Sequence, residues 1–330
     1  MTIDWKPLAE LVRGNDSFLI TSHMRADCDA VGSEIGMAAV LESLGKRAVI
    51  VNADEVPEHI AFMDPQRRVR VLGASADAES LRELDAAIVV DTSAWSQLGS
   101  MAEVVRSFPG ARAVVDHHVS QDDMQAVVLK DSTAEATGRL VLEFAEYLGM
   151  GVTEEMAAAL FAAIVTDTGW FRFSSVSAQT FEALGRLVAA GADPQRTFAQ
   201  LYEQHSLARL MLRGRILNHV QQECGGRLLW TYAAAEDFAE TGALKTDTED
   251  SINMLLAVGG VEAAILFVEL GVEGGPVTKV SLRSRGPFDA RAVAEKFGGG
   301  GHRAAAGVTM NGPRHEIQRA ILDAACAAMG

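Results

Sequence analysis

Between residues 17 and 192 the chain alternates short runs that are apolar on both faces with longer stretches of helical periodicity. "SFLIT", "RAVIVN", "DAAIVVD" and "ARAVVDHH" are brief and β-branched, as expected of strands in a parallel sheet covered by helices. "AVGSEIGMAAVLESLG" follows the first of them with the spacing of an amphipathic helix, and Gly45 suits its left-handed C-terminal cap. "TAEATGRLVLEFAEYLG", "TEEMAAALFAAIVTD" and "SAQTFEALGRLVAAG" predict further helices. Past Pro194, "QRTFAQLYEQHSLARLMLRGRILNHVQQE" is helical and charged, a connector over residues 193–225. A second αβ block then runs over 226–330: strand-like "RLLWTYAA", helical "TEDSINMLLAVG", strand-like "VEAAILFVEL" and "TKVSLRS", and a closing helix "RHEIQRAILDAACAAM". The pattern predicts an α/β protein, with a parallel-sheet domain over 1–192 and a smaller αβ domain after the connector.

The ends of the apolar segments are where the chemistry gathers. His23, Asp27 and Asp29 follow "FLIT", Asp91 follows "AAIVV", Asp116-His117-His118 follow "RAVV", and Asp167 follows "FAAIVT". One aspartate in such a place is usually a helix N-cap or a turn residue. The same thing at four places is a convergence, because ligand sites in open parallel sheets collect at the carboxyl ends of the strands. Two carboxylates ~4 Å apart repel by roughly 4 kcal/mol at an effective dielectric near 20. Asp27, Asp29, Asp91 and Asp167 together therefore require protonation or neutralisation, which two divalent cations supply. Oxygen donors mixed with the imidazoles of His23 and His117, without thiolates, suit manganese, and also iron, cobalt or zinc. Asp116 is expected one step back, orienting a histidine ligand.

Composition narrows the reading. At 48% hydrophobic and 22% charged, the 330-residue chain is an ordinary globular one of about two domains. Its formal charge of −15 excludes a basic face for gripping long nucleic acid, so a polyanionic substrate must be small. The N-terminus lacks the layout of a signal peptide and no apolar run is long enough to span a membrane. Cys28, Cys224 and Cys326 are too scattered for a disulfide framework, which predicts a reducing cytoplasm. A second signal is "FGGGGHRAAAG" (297–307): consecutive glycines let backbone N–H groups approach an anion, and His302 and Arg303 add donors. Arg283 and Arg285, placed on one strand face, strengthen a phosphate-binding reading over a plain hairpin.

On these motifs the sequence resembles the DHH phosphoesterase superfamily. "SHMRADCDAVGS", "VVDTS", "VVDHHVS" and "AIVTDTGWFRFS" resemble its four N-terminal motifs, and "KFGGGGHRAAAG" that of the DHH-associated C-terminal domain. Ala26 and Cys28 stand where the first motif commonly has proline and glycine. The subgroup most like it is the oligoribonuclease and 3′-phosphoadenosine 5′-phosphate phosphatase type, the nanoRNases. The resemblance implies that His23, Asp27 and Asp91 hold one manganese ion. Asp29, Asp91, His117 and Asp167 would hold a second, with Asp91 bridging. His118 would face the substrate phosphate, and Gly300, Gly301, His302 and Arg303 would hold the nucleotide, so that the active site lies in a cleft between the domains. The expected reaction is two-metal hydrolysis of short RNA to mononucleotides and of 3′-phosphoadenosine 5′-phosphate to AMP, with His118 and His302 offsetting phosphoryl charge. Alternatives are a linear or cyclic dinucleotide phosphodiesterase, a pyro- or polyphosphatase, and a nucleotide sensor without turnover. A dinucleotide-dependent dehydrogenase is excluded, since no G-x-G-x-x-G follows the first strand. The substrates expected are short oligonucleotides and nucleotide bisphosphates, without a membrane partner, and a homodimer stays open.

Overall fold

The computed structural model describes residues 3–271 and 275–330, and the chain divides into two compact units, Met1–Gln204 and His205–Gly330. The first unit holds α1 (Lys6–Gly14), β1 (Ser17–Thr21), α2 (Cys28–Ser43), β2 (Arg47–Asn52), β3 (Val69–Val71), α3 (Ala78–Leu81) and β4 (Ala86–Val90). It continues with α4 (Met101–Arg106), β5 (Ala111–Asp116), β6 (Val127–Lys130), α5 (Thr137–Tyr147), α6 (Glu154–Asp167), α7 (Ala178–Ala189) and α8 (Pro194–Tyr202). Its six strands form one sheet in the order β3-β2-β1-β4-β5-β6, parallel at every pairing. The order reverses between β1 and β4, and outside the carboxyl ends of such a pair an open α/β sheet leaves a crevice.

The alternation of side chains explains the two covered faces. Phe18, Ile20, Ile88 and Val115 point into a core shared with α2, α5 and α6. Leu19, Val51, Val89 and Val114 point the other way, against Leu81 of α3 and Met101 and Val105 of α4. The four strands expected from apolar runs are all present. The two others, β3 and β6, are the short outer strands, three and four residues long and partly charged, and carry too little apolar pattern to read.

α2 departs from the amphipathic helix expected. Every residue from Cys28 to Leu41 is buried, because α2 lies inside the helical layer with α5 and α6 around it. Glycine makes that burial work: a Cβ at Gly32 would stand 2.5 Å from the Ala159 carbonyl oxygen, and one at Gly138 2.6 Å from the Ala163 Cβ. Small residues at Gly32, Gly138, Ala159 and Ala163 thus bring the starts of α2 and α5 against the last turns of α6.

The second unit holds α9 (Leu207–Asn218), β7 (Gln221–Glu223), β8 (Leu228–Ala233), α10 (Ala235–Thr241), α11 (Ser251–Leu256), β9 (Ala263–Glu269) and β10 (Val277–Ser284). It ends with α12 (Ala290–Glu295), β11 (Gly300–His302), β12 (Ala305–Asn311) and α13 (Arg314–Met329). Its sheet runs β11-β12-β10-β9-β8-β7 and is mixed: β8 and β9 are parallel, the other pairings antiparallel. Ile265, Phe267 and Leu282 pack with Val293 of α12 and Ile321 of α13, while Ala264 and Leu266 pack with Leu212 of α9 and Leu255 of α11.

The segment expected as a connector is divided between the units: α8 falls in the first and α9 in the second. The cysteine reading is corrected. Cys224 and Cys326, 102 residues apart in sequence, form a disulfide with a Cα–Cα distance of 6.0 Å, an ordinary span. The fold brings α13 back to the turn before β8, a closure that linear spacing hides. Among the described residues no helix is long and apolar enough to cross a membrane.

Gly32→Ala is expected to destabilise the first unit by about 1–3 kcal/mol, because the added methyl meets backbone rather than a movable side chain. Gly185→Ala, on the exposed face of α7 with open space around it, is expected to stabilise by about 0.4–1 kcal/mol. Denaturant melts of both variants check the pair, and an unperturbed Gly32→Ala would show that the close crossing does not constrain the fold.

Candidate metal centre

The crevice outside β1 and β4 is where the acidic and histidine residues meet. His23 lies two residues past the end of β1, and its Nδ1 donates to the Met24 carbonyl oxygen at 3.0 Å. A carbonyl can only accept, so in the neutral ring Nε2 carries the lone pair. That nitrogen stands 3.3 Å from Asp91 Oδ2 and 3.9 Å from Asp27 Oδ1. His117, one residue past β5, repeats the arrangement. Its Nδ1 donates to the Ala134 carbonyl at 3.2 Å, and Nε2 faces Asp167 Oδ2 at 3.5 Å, Asp91 Oδ1 at 3.6 Å and Asp29 Oδ2 at 3.7 Å. Each imidazole therefore turns a lone pair toward carboxyl oxygens, which only accept once ionised. Acceptors that face acceptors are reconciled either by a proton on a carboxyl or by a cation between them, and this donor set could hold a metal ion.

Among the described residues three overlapping groups of donors result, each with its atoms within 4.8 Å of one another: His23, Asp27 and Asp91; Asp29, His117 and Asp167; and Asp91, His117 and His118, of which the first two use nitrogens that carry no other hydrogen bond. Asp91 belongs between those two. One of its oxygens faces His23 and the other His117, which is the geometry of a bridge. The residue takes φ +61°, a left-handed turn straight after β4 that aspartate tolerates better than most side chains.

Each carboxylate is placed by backbone. Asp27 caps α2, its Oδ1 accepting from the N–H groups of Asp29 and Ala30 at 3.0 and 3.1 Å. The helix-cap and ligand readings of this aspartate are thus compatible. Asp29 accepts from the N–H groups of Thr137 and Gly138 at 2.7 and 2.8 Å, so the start of α5 points its free donors at the site. Thr137 Oγ1 donates to Asp91 Oδ1 at 2.9 Å. Asp167 is the last residue of helix α6, as the helical pattern of "TEEMAAALFAAIVTD" predicts, and reaches the strand ends from the helical layer. Asp29 likewise sits in the first turn of α2.

Burial and mutual repulsion raise the Asp29 carboxyl well above the ordinary carboxylate range, with Asp91 and Asp167 the neighbouring charges. Asp91 is raised for the same reason, burial first and Asp27 next. Burial also raises Asp167, against the pull of His117. Cys28 stays a thiol, pushed up to about 12 by burial and the charge of Asp27, which leaves it a filler between the two aspartates.

The third residue of the triplet differs from the second. His118 Nδ1 donates to Asp116 Oδ1 at 2.9 Å, and its backbone N–H meets the same oxygen at 3.0 Å. Asp116 thus orients His118 rather than the inward-facing His117. Hydrogen bonds from His118, Ser93 and Lys130 outweigh burial and hold the Asp116 carboxyl down to about 2. The bond to Asp116 raises His118 in turn. Sequence reading missed the bracing behind these groups: Ser93, Thr137, and Asn52, which donates to the buried Glu34 at 3.1 Å and accepts from Ser22 N–H beside His23.

The glycine-rich segment lies in the second unit as the hairpin β11–β12, with His302 paired to Ala305 across a two-residue turn of Arg303 and Ala304. Tight packing accounts for part of the run. A Cβ at Gly299 would stand 2.4 Å from the Gly307 carbonyl oxygen, and at Gly301, with φ +138°, 2.5 Å from that of Ala305. Gly300 has open space around it. Arg283 lies in β10 opposite Ala305, whereas Arg285 falls one residue beyond the strand, its N–H bonded to the Glu262 carbonyl. Arg303 donates to the Pro287 carbonyl at 3.0 Å.

The raised carboxyls give the metal-free protein a definite pH dependence. Above the ordinary carboxylate pKa of 3.8, the native state keeps protons on Asp29 and Asp91 that the unfolded chain has released. Metal-free stability therefore falls as pH rises, while metal binding, which needs those carboxylates ionised, strengthens. Thermal melts with chelator and with manganese, from about pH 5 to pH 8, should show a gap that widens with pH. A gap that is constant or narrows would contradict the site.

Residues 17–164 match the family model described as "DHH family, N-terminal domain", and residues 232–329 the "DHHA1 domain". The bifunctional oligoribonuclease and PAP phosphatase NrnA of Thermus thermophilus is 29% identical over 294 residues, 89% of this chain and 84% of its own. An exopolyphosphatase-related protein from Bacteroides fragilis has the same fold, with a TM-score of 0.85 at 24% identity over 98% of this chain and 96% of its own. The exonuclease RecJ bound to manganese aligns at TM-score 0.55 and 13% identity, over 100% of this chain and 95% of its own. A parallel-sheet unit whose motifs meet at the switch point, followed by a mixed-sheet unit with a glycine-rich hairpin, makes this chain a DHH-family protein of DHH and DHHA1 domains.

Proposed function

We propose that the protein is a manganese-dependent phosphoric ester hydrolase that cuts short oligoribonucleotides to mononucleotides and converts 3′-phosphoadenosine 5′-phosphate to AMP. The observation that carries this is Asp91, with one oxygen turned to His23 and the other to His117. A carboxylate so placed serves two cations at once. When bound, such a pair ionises a water near neutral pH and neutralises phosphoryl charge. Mixed carboxylate and imidazole donors suit manganese, the ion in the RecJ structure. The choice of short RNA and the bisphosphate follows NrnA, the relative described by those activities.

The chain's own residues then divide the work. His23, Asp27, Asp29, Asp91, His117 and Asp167 hold the ions. His118, half-exposed and tied back through Nδ1, presents Nε2 to a non-bridging phosphoryl oxygen and stabilises the charge that develops there. Asp116 keeps that ring in place. In the second unit, Gly300 and Gly301 offer backbone donors to a nucleotide phosphate, and His302, Arg303, Arg283 and Arg285 supply the local positive charge that a chain of −15 otherwise lacks.

A side-by-side assay with manganese tests the reading: 3′-phosphoadenosine 5′-phosphate, a dinucleotide, a long RNA and pyrophosphate. The first two are expected to turn over, the long RNA more slowly per end because the acidic surface repels it. Turnover of pyrophosphate alone, or binding of nucleotides without hydrolysis, would refute it. His118→Ala should keep its metal by elemental analysis and lose about 10²-fold in rate. Loss of metal in that variant would mean that His118, not only His117, is a ligand.

A further inference from the structure

The buried carboxylate behind His118 is held from its far side by a lysine. Asp116 is the last residue of β5, its side chain fully shielded from solvent. Its Oδ1 is occupied twice by His118, through the ring and the backbone N–H. Its Oδ2 accepts from Ser93 Oγ at 2.6 Å and stands 3.1 Å from Lys130 Nζ. Lys130 is the last residue of β6 and the register partner of Asp116. Its ammonium also donates to Ser93 Oγ at 2.7 Å and to the Ser120 carbonyl at 2.5 Å. It thus makes two hydrogen bonds and one ion pair, and its side chain is largely buried. Ser93 Oγ receives from Lys130 and has one proton for two acceptors, Asp116 Oδ2 at 2.6 Å and the Ser120 carbonyl at 2.8 Å, the shorter contact being to the carboxylate.

We propose that Lys130 is a positioning residue for the reaction: through Ser93 and Asp116 it fixes the His118 ring with Nε2 turned outward, and through Ser120 it ties down the loop after the triplet. This rests on the reading that His118 meets the substrate phosphate. Without the ammonium, Asp116 Oδ2 loses its ion-pair contact and Ser93 Oγ loses the donor that orients it, so the carboxylate is free to rotate or to admit water. Either change weakens Oδ1 as an acceptor and frees the ring. The lysine does not touch the six residues assigned to the ions, so its loss should spare metal binding. Nothing in the composition of "VVLK" marks it. The residue becomes visible only once β6 is seen to lie beside β5.

The test combines kinetics with a substrate-free readout on the metal-loaded protein. Lys130→Met is expected to lower kcat on a dinucleotide on the order of 10–100-fold, the usual cost of a lost outer partner, with KM and metal content held. Lys130→Arg, which keeps charge and donors, should recover most of the rate. Lys130→Gln, carried alongside in case the methionine variant does not fold, should fall between them. In a His118→Ala background, Lys130→Met should add little further loss, since groups acting as one unit are not additive. A full additional loss there, or normal kcat in both Lys130→Met and Lys130→Gln, would overturn the proposal. The substrate-free arm is nitrogen-15 correlation of the histidines in the magnesium-loaded protein. The bonded Nδ1 proton of His118 should be present in the native protein and in Lys130→Arg, and lost in Lys130→Met or Lys130→Gln. Its persistence in those two variants overturns the positioning role even if the protein turns over none of the substrates.

Discussion

The structure is organised around a repulsion. Four carboxyl groups and two imidazole lone pairs converge on one crevice, and with the carboxyls ionised and the rings neutral none of the short distances between Nε2 and carboxylate oxygen has a proton to share. Fully ionised, such a cluster would repel itself by roughly 4 kcal/mol for each pair ~4 Å apart at an effective dielectric near 20; burial and that repulsion raise Asp29, Asp91 and Asp167, and the surrounding fold holds them together. The protein invests backbone donors for this purpose. The start of α2 donates to Asp27, the start of α5 donates to Asp29, and the backbone carbonyls of Met24 and Ala134 fix the two imidazoles. These contacts leave the inward lone pairs free for cations.

Packing decides whether the carboxylates can be close enough. α2 is buried on all sides and crosses α6 where Gly32 meets the Ala159 carbonyl; Gly138 of α5 reaches Ala163 and Asp29 at once. Larger residues at these points would push apart the helices that carry Asp29 and Asp167. The small-residue positions therefore belong to the site as much as the ligands do, although they touch nothing chemical. The same logic separates the two histidines of the triplet. His117 turns inward because Ala134 holds its Nδ1, and His118 stays half-exposed because Asp116 holds its own.

Much of this was legible in the sequence, and the reasons are specific. Long β-branched runs such as "DAAIVVD" are buried on both faces, so their pattern and the acidic residue at the end survive any tertiary context. The gathering of His23, Asp27, Asp29, Asp91, His117 and Asp167 followed from topology alone. What escaped reading was weakly patterned or non-local. β3 and β6 are short outer strands, and with β6 went Lys130. α2 looked amphipathic because Ser33 and Glu34 are polar, yet both are buried, Glu34 with its carboxyl pushed up to about 7. The Cys224–Cys326 link depends on α13 returning to the start of β8. In "FGGGGHRAAAG" the glycines looked like one anion-binding device, while two of them, Gly299 and Gly301, are required by close backbone contacts of the hairpin.

The central claim is that Asp91 joins two cations in one site, and paramagnetic resonance of the manganese-loaded protein tests it without reference to any substrate. Two ions that share a carboxylate are coupled. The isolated-ion signal seen with the first equivalent of manganese should therefore collapse into a coupled spectrum as the second binds, and Asp91→Ala should abolish that coupling. Two independent signals that grow in proportion to added metal, unchanged by the substitution, would contradict the account.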